Sequence, residues 1–110
     1  EAMRTAAEQH GGSVEVRWTL AYEAFQVPED SPVLKIVRDA CADVGLTPRI
    51  SSTGGGSDGS VLAAHGAPTL VLACGMRSVH STEEHIVLGD LEGAAELVRA
   101  CIVRLARERR

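Results

Sequence analysis

Two stretches of this chain are patterned for different kinds of β-strand, and one small sheet cannot satisfy both. Ser13–Tyr22 alternates, with Val14, Val16, Trp18, Leu20 and Tyr22 on one side and Glu15, Arg17 and Thr19 on the other. A period of two describes an antiparallel strand with one wet face. Pro68–Cys74 instead reads PTLVLAC, the continuous apolar run of a strand buried on both faces in a parallel, helix-covered sheet. A half-exposed strand before Pro28 and a doubly buried one after it predict two sheets. The boundary falls at about 24–31, where Pro28, Glu29, Asp30, Ser31 and Pro32 break the pattern. Residues 1–24 then close one α+β module, and residues 25–110 belong to a layered α/β unit.

Helical periodicity fills the intervals. Residues 1–10 carry Met3, Ala6, Ala7 and His10 on one stripe, with Gly11-Gly12 as the stop. Ser31 is placed to cap a helix with Pro32 in its first turn. That helix runs to about Val44 on a face of Val33, Leu34, Val37, Ala40, Cys41 and Val44, and Gly45 ends it. A short strand is expected at about Pro48–Ser52 and a short helix up to His65, stopped by Gly66. A long polar loop, Gly75–His85, leads to a last helix starting near Gly89-Asp90. Leu91, Ala94, Ala95, Val98, Cys101, Ile102 and Leu105 give that helix one stripe. Asp90, Glu92 and Glu96 lie early and five arginines late, which suits the helix dipole.

Composition removes several function classes. The chain has 110 residues, with Asp+Glu 15 against Lys+Arg 11 and a net charge of -4, so a basic nucleic-acid footprint is excluded. No apolar run approaches the roughly 18 residues of a membrane span, and no membrane partner is expected. Cys41, Cys74 and Cys101 are scattered without a CxxC pair. They read as small buried hydrophobes in a reducing compartment, with the cytoplasm as the expected location, and neither as a disulfide framework nor as a Cys-based zinc site. The first residue is Glu1 rather than Met, which raises the expectation of a piece of something longer.

Two segments can carry chemistry. Gly54-Gly55-Gly56-Ser57-Asp58-Gly59 lies between a strand and a helix, where glycines admit close approach of a ligand and unpaired N–H groups face an anion. A tight strand-to-helix turn is the plainer use of the same residues. Gly54, Gly56 and Gly59 also satisfy G-x-G-x-x-G, but no acidic residue ends the next strand, and a dinucleotide site would depend on Arg77. The second segment holds His80, just past the carboxyl end of the buried strand, where open α/β sheets place ligands. A neutral imidazole there is a good zinc ligand. His80 and His85 are five apart, the wrong spacing for a helical zinc pair. Glu83 and Glu84 offer acid/base groups or simply face solvent; Asp58 caps its helix, itself or through Ser57; and His10 and His65 serve helix-terminal carbonyls.

Taken in order, Ser52-Thr53-Gly54-Gly55-Gly56-Ser57-Asp58-Gly59, Gly66-Ala67-Pro68-Thr69, Gly75 through Ile86 (GMRSVHSTEEHI) and Asp90-Leu91 resemble the C-terminal part of the co-catalytic zinc peptidases related to tripeptidase T. Carboxypeptidase G, aminoacylase and acetylornithine deacetylase belong to the same broad superfamily. Tyr22, Phe25 and Glu29-Asp30-Ser31-Pro32 look like the return from that family's lid to its catalytic domain. The resemblance implies that residues 1–24 end a lid and dimerisation domain and that 25–110 are the C-terminal part of the catalytic domain. It implies that His80 is a zinc ligand in a two-ion centre, and that Gly54, Gly55, Gly56 and Ser57 line the site and hold a short peptide or N-acyl amino acid. A homo-oligomer through the lid strand is implied as well. No catalytic residue is assigned, because the family's His-x-Asp, bridging Asp, Glu-Glu pair and further carboxylate ligand have no counterpart here, so the chain alone is expected to be inactive. The alternatives are a non-catalytic binding or assembly module and, behind it, a dinucleotide-binding domain.

Overall fold

The computed structural model describes residues 1–108. Four helices follow one another: α1 (Ala2–Gln9), α2 (Pro32–Asp43), α3 (Asp58–Ala64) and α4 (Leu88–Glu108). They sit where the periodicity places them, within a residue or two. Arg109 and Arg110, two of the five late arginines, lie outside the described residues.

Three helices end in the same way. After α2, Gly45 adopts φ +71°, its N–H donates to Ala42 O at 3.3 Å, and the N–H of Leu46 donates to Cys41 O at 2.8 Å. These two bonds satisfy carbonyls the helix would otherwise leave open, and the left-handed residue between them favours glycine. The same pair of bonds closes α1 through Gly11 and Gly12, and α3 through Gly66 and Ala67. The starts are less regular. Ser31 and Ser57 occupy the N-cap positions, but neither makes a side-chain capping bond. Pro32, with φ preset and no N–H to satisfy, starts α2 instead.

The core lies between α2 and α4, the helix pair that packs together among the described residues. Ala40, Cys41, Leu97 and Ala100 are buried there, with Val37, Val44, Leu72 and Cys101 around them. The face of α4 that meets α2 is not the expected stripe. Leu97 and Ala100, neither of them on it, are buried against α2, and of the stripe Cys101 packs beside them, whereas Leu91, Val98, Ile102 and Leu105 remain exposed. Helix α4 is apolar on more than one side, and the α2 contact selects the side that also carries Arg104, which reaches Asp43 and Asp39. On α2, Ile36 is buried beyond the predicted face.

The strand-patterned segments are the main departure. Among the described residues no β-ladder forms; the pairing present is an isolated antiparallel bridge between Arg77 and His85. Ser13–Tyr22, Pro48–Ser52 and Pro68–Cys74 carry no strand assignment. A strand exists by hydrogen-bonding to a neighbour, and none of these segments finds one here. Trp18 is 87% exposed and Leu20 75%, although the alternation puts both on the face meant for a core. The radius of gyration is 20.0 Å, against about 13 Å for a compact domain of 100 residues. The accessible surface is 9178 Å², against about 5,800 Å² for a folded monomer of this mass. The helical layer of the expected α/β architecture is thus in place, and the sheet layer is not completed within these residues.

Candidate metal and substrate site

The segment from Arg77 to His85 is a closed loop. Arg77 and His85 exchange both backbone bonds, at 2.9 and 3.2 Å. Inside it, the Ser81 N–H and hydroxyl both donate to Ser78 O, at 3.2 and 2.7 Å, and Ser81 Oγ accepts the Glu83 N–H at 3.2 Å. The Glu84 N–H returns to Ser81 O at 3.2 Å. Ser78 and His80 both adopt left-handed backbone, with φ +52° and +66°. The Glu84 carboxylate accepts the backbone N–H of His80 at 2.6 Å. Glu84 therefore does more than face solvent, a role that its position four residues after His80 signals only in hindsight.

The loop is also fastened to α4. The Arg77 guanidinium donates to Asp90 Oδ2 at 3.2 Å, and Gly75, at φ +85°, lies so close that a Cβ there would stand 2.7 Å from the Asp90 Cβ. Arg77 is thereby engaged by a carboxylate, the opposite of what a waiting 2′-phosphate site requires.

The histidine rings divide into held and free. His65 Nδ1 donates to Val61 O at 2.8 Å, as expected of a helix-end imidazole, and His85 Nδ1 donates to Glu83 O at 2.8 Å. A carbonyl can only accept, so Nδ1 carries the proton in both. His10 instead closes α1 through its backbone N–H, which donates to Ala7 O. The exposed His80 ring makes no hydrogen bond among the described residues, leaving its nitrogens open to a metal ion. That fits one ligand and no more. No three His, Cys, Asp or Glu side chains converge on a metal-sized point among the described residues. The cysteines are free thiols, Cys41 buried and the others partly so, and burial pushes the Cys101 thiol up from its ordinary value, with Cys41 beside it adding to the effect.

The glycine run Gly54–Ser57 is exposed along its length. The Gly55 N–H donates to Thr53 Oγ1 at 3.2 Å. A Cβ on Gly56 would overlap the Tyr22 ring, so the end of the first segment lies directly against this run, a contact the strand pattern of 13–22 does not announce. Gly59 is close to Thr69 and Val71, which seats α3 on the apolar run. Asp58 lies in the first turn of α3, where its charge already offsets the helix dipole and weakens the case for an anion at that end. Two crevices among the described residues, one between the 25–32 linker and the end of α3 and the other between Leu72–Cys74 and α4, are lined by neither His80 nor Gly54–Ser57.

Comparison with known proteins bears on the whole segment. Residues 4–104 match the peptidase family M20/M25/M40, whose members are generally metal-dependent. The crystal structure of aminopeptidase PepT from Bacillus cereus ATCC 10987 superposes with a TM-score of 0.76 at 37% identity, covering 96% of this chain and 28% of that one. The uncharacterized protein YqjE of Bacillus subtilis (strain 168) is 35% identical over 106 residues, 96% of this chain and 29% of its own length. A succinyl-diaminopimelate desuccinylase of Verminephrobacter eiseniae (strain EF01-2) is 33% identical over 99 residues, 89% of this chain and 24% of its own. This chain thus spans about a quarter of the length of such relatives. No described helix is long and apolar enough to cross a membrane. With nearly its whole length matched, this chain belongs to the peptidase family M20/M25/M40.

Proposed function

We propose that these residues are the C-terminal part of a zinc-dependent aminopeptidase of the tripeptidase T type, which hydrolyses short peptides or N-acyl amino acids. In this reading residues 1–24 end a lid domain, His80 is one ligand of a two-zinc centre, and Gly54, Gly55, Gly56 and Ser57 line the substrate site. The likeness to aminopeptidase PepT at 37% identity over 96% of the chain is the observation that carries it. The exposed, unpartnered His80 ring on a loop closed at both ends agrees with it. Free cysteines agree with a reducing compartment, the cytoplasm.

When bound, zinc polarises an amide carbonyl and lowers the pKa of water. The contribution of this chain is narrower. His80 presents its imidazole from a fixed loop, and the glycine run leaves room for a substrate backbone to approach. With His80 taken up as a ligand and no third His, Cys, Asp or Glu side chain converging with it among the described residues, these residues cannot hold two zinc ions, so the 110 residues alone should show no turnover with added zinc or cobalt. Chelator-sensitive peptidase activity of the pure chain would contradict this. In the full-length protein, His80→Ala should lose most activity and one step of metal affinity. Normal rate and metal content in that variant would remove His80 from the site.

A second substrate class has its own support. Several desuccinylases are 27–33% identical to this chain, and their names describe removal of a succinyl group from an amino acid. Parallel assays of the full-length protein with tripeptides and with N-succinyl amino acids separate the two.

A further inference from the structure

We propose that Glu84 is a positioning residue for metal binding, its carboxylate holding His80 in the left-handed backbone conformation that presents the imidazole. The inference rests on the reading of His80 as a metal ligand and names the group that keeps the ligand aimed.

A non-glycine residue at positive φ is uncommon and needs its surroundings to hold it. His80, at φ +66°, follows a second such residue, Ser78 at +52°, within one loop. The bonds that Ser81 makes with Ser78, Glu83 and Glu84 bring the two arms of the loop together but do not reach His80. The contact that does is the 2.6 Å bond from the His80 N–H to Glu84 Oε2. A bond to an ionised acceptor is short and about twice as strong as a neutral one. The spacing of four residues lets the side chain reach back while the Glu84 N–H is itself anchored on Ser81 O. Without that acceptor, His80 can relax to negative φ, which swings the direction of its Cα–Cβ bond and moves the ring.

Glu84 can also be imagined as a metal ligand in its own right. Glutamine separates the two roles, because its amide oxygen still accepts the His80 N–H but it is a much poorer ligand than a carboxylate. The test is competition of zinc(II) between the full-length protein and a chromophoric chelator, with the visible spectrum of the cobalt(II) form as a second readout. His80→Ala provides the reference, and the unfolding midpoint of the metal-free protein checks that each variant folds.

Glu84→Ala is expected to weaken the His80-dependent binding step about tenfold or more, the scale found for groups behind a metal ligand. It should also alter the cobalt spectrum, while Glu84→Gln, which keeps a weaker neutral bond to the His80 N–H, loses clearly less than Glu84→Ala. If the alanine variant does not fold, Glu84→Asp, whose carboxylate is withdrawn by one carbon, must weaken the same step. Loss of the step in His80→Ala with no effect in Glu84→Ala overturns the role of Glu84 and leaves the peptidase reading standing. Equal losses in the glutamine and alanine variants also overturn it, in favour of direct ligation. No effect in His80→Ala removes both.

Discussion

Arg104 on α4 grips Asp43, the last residue of α2, through two parallel bonds. Its Nε donates to Oδ2 at 2.6 Å and its Nη2 to Oδ1 at 2.7 Å. The planar fork fixes the angle as well as the distance between the helices, and Nη1 lies 3.5 Å from Asp39 Oδ2 on the previous turn. The thin core between α2 and α4 thus has a polar clamp at one end.

The clamp predicts an acid dependence. The hydrogen bond from Arg104 holds the Asp43 carboxyl below the usual carboxylate range, and Lys35, then Arg104, does the same for Asp39. A folded pKa below the unfolded value of about 3.9 means that the stabilisation is complete above that pH and is lost as pH falls through the folded value. The unfolding midpoint of the full-length protein should therefore fall on acidification below about pH 4, and Asp43→Asn should flatten part of that fall. Arg104→Lys keeps the charge without the fork and should lower the midpoint at neutral pH as well. An acid profile unchanged by Asp43→Asn would show that the pair contributes nothing.

The helices and their ends were legible because their signals are local. Gly11, Gly45 and Gly66 mark C-termini through one residue's backbone preference, and Pro32 marks a start. The use of each helix was less legible. Both sides of α4 are apolar, and no periodicity tells which of Leu97 or Ile102 will meet α2. The strands failed for a different reason. Alternation at 13–22 and continuity at 68–74 specify what a strand needs, not that a neighbour is present. At the candidate site, His80 and the glycine run stood out as residue types in a loop. The bond from His80 N–H to Glu84 and the seating of Tyr22 on Gly56 did not, since both depend on where a side chain folds back.

Two glycines should respond differently to alanine. Gly45, at φ +71°, has nothing within 4 Å of its missing Cβ, so Gly45→Ala should cost only the left-handed conformation, about 1–2 kcal/mol. Gly75, at φ +85°, carries the same penalty and would also overlap Asp90. Gly75→Ala should therefore be the more destabilising, and should disturb the Arg77–Asp90 pair that fastens the His80 loop. Denaturant unfolding of the two full-length variants measures the difference; equal losses would mean that α4 yields readily at Asp90.

Leu97 carries the contact between the long helices. It is 8% exposed and packs with Ala40, Cys41 and Ala100. Leu97→Ala should cost about 2–5 kcal/mol, the range for truncating a buried leucine. Leu97→Met, which nearly conserves volume, should cost less than about 1.5 kcal/mol. Chemical denaturation with an unchanged m-value would attribute the loss to this core alone; a loss below that range for the alanine variant would show that the helices close up around the gap.

The last expectation concerns Ser13–Tyr22 in the isolated chain. Its alternating face is bare, with Trp18 87%, Leu20 75% and Tyr22 48% exposed, and its backbone N–H and C=O groups pair with no neighbouring strand among the described residues. An unpaired strand with an apolar face is a template for another copy, so the 110-residue chain should self-associate through this segment. Trp18 is the only tryptophan and lies on that face, which makes it the reporter. Its emission should move to shorter wavelength as concentration rises, in step with earlier elution from a sizing column. Trp18→Lys places a charge on the pairing face and should abolish both changes. A monomer whose tryptophan emission stays that of a water-exposed indole at high concentration would show that the segment does not pair between copies, and the proposal of an oligomer through the lid strand would lose its physical basis.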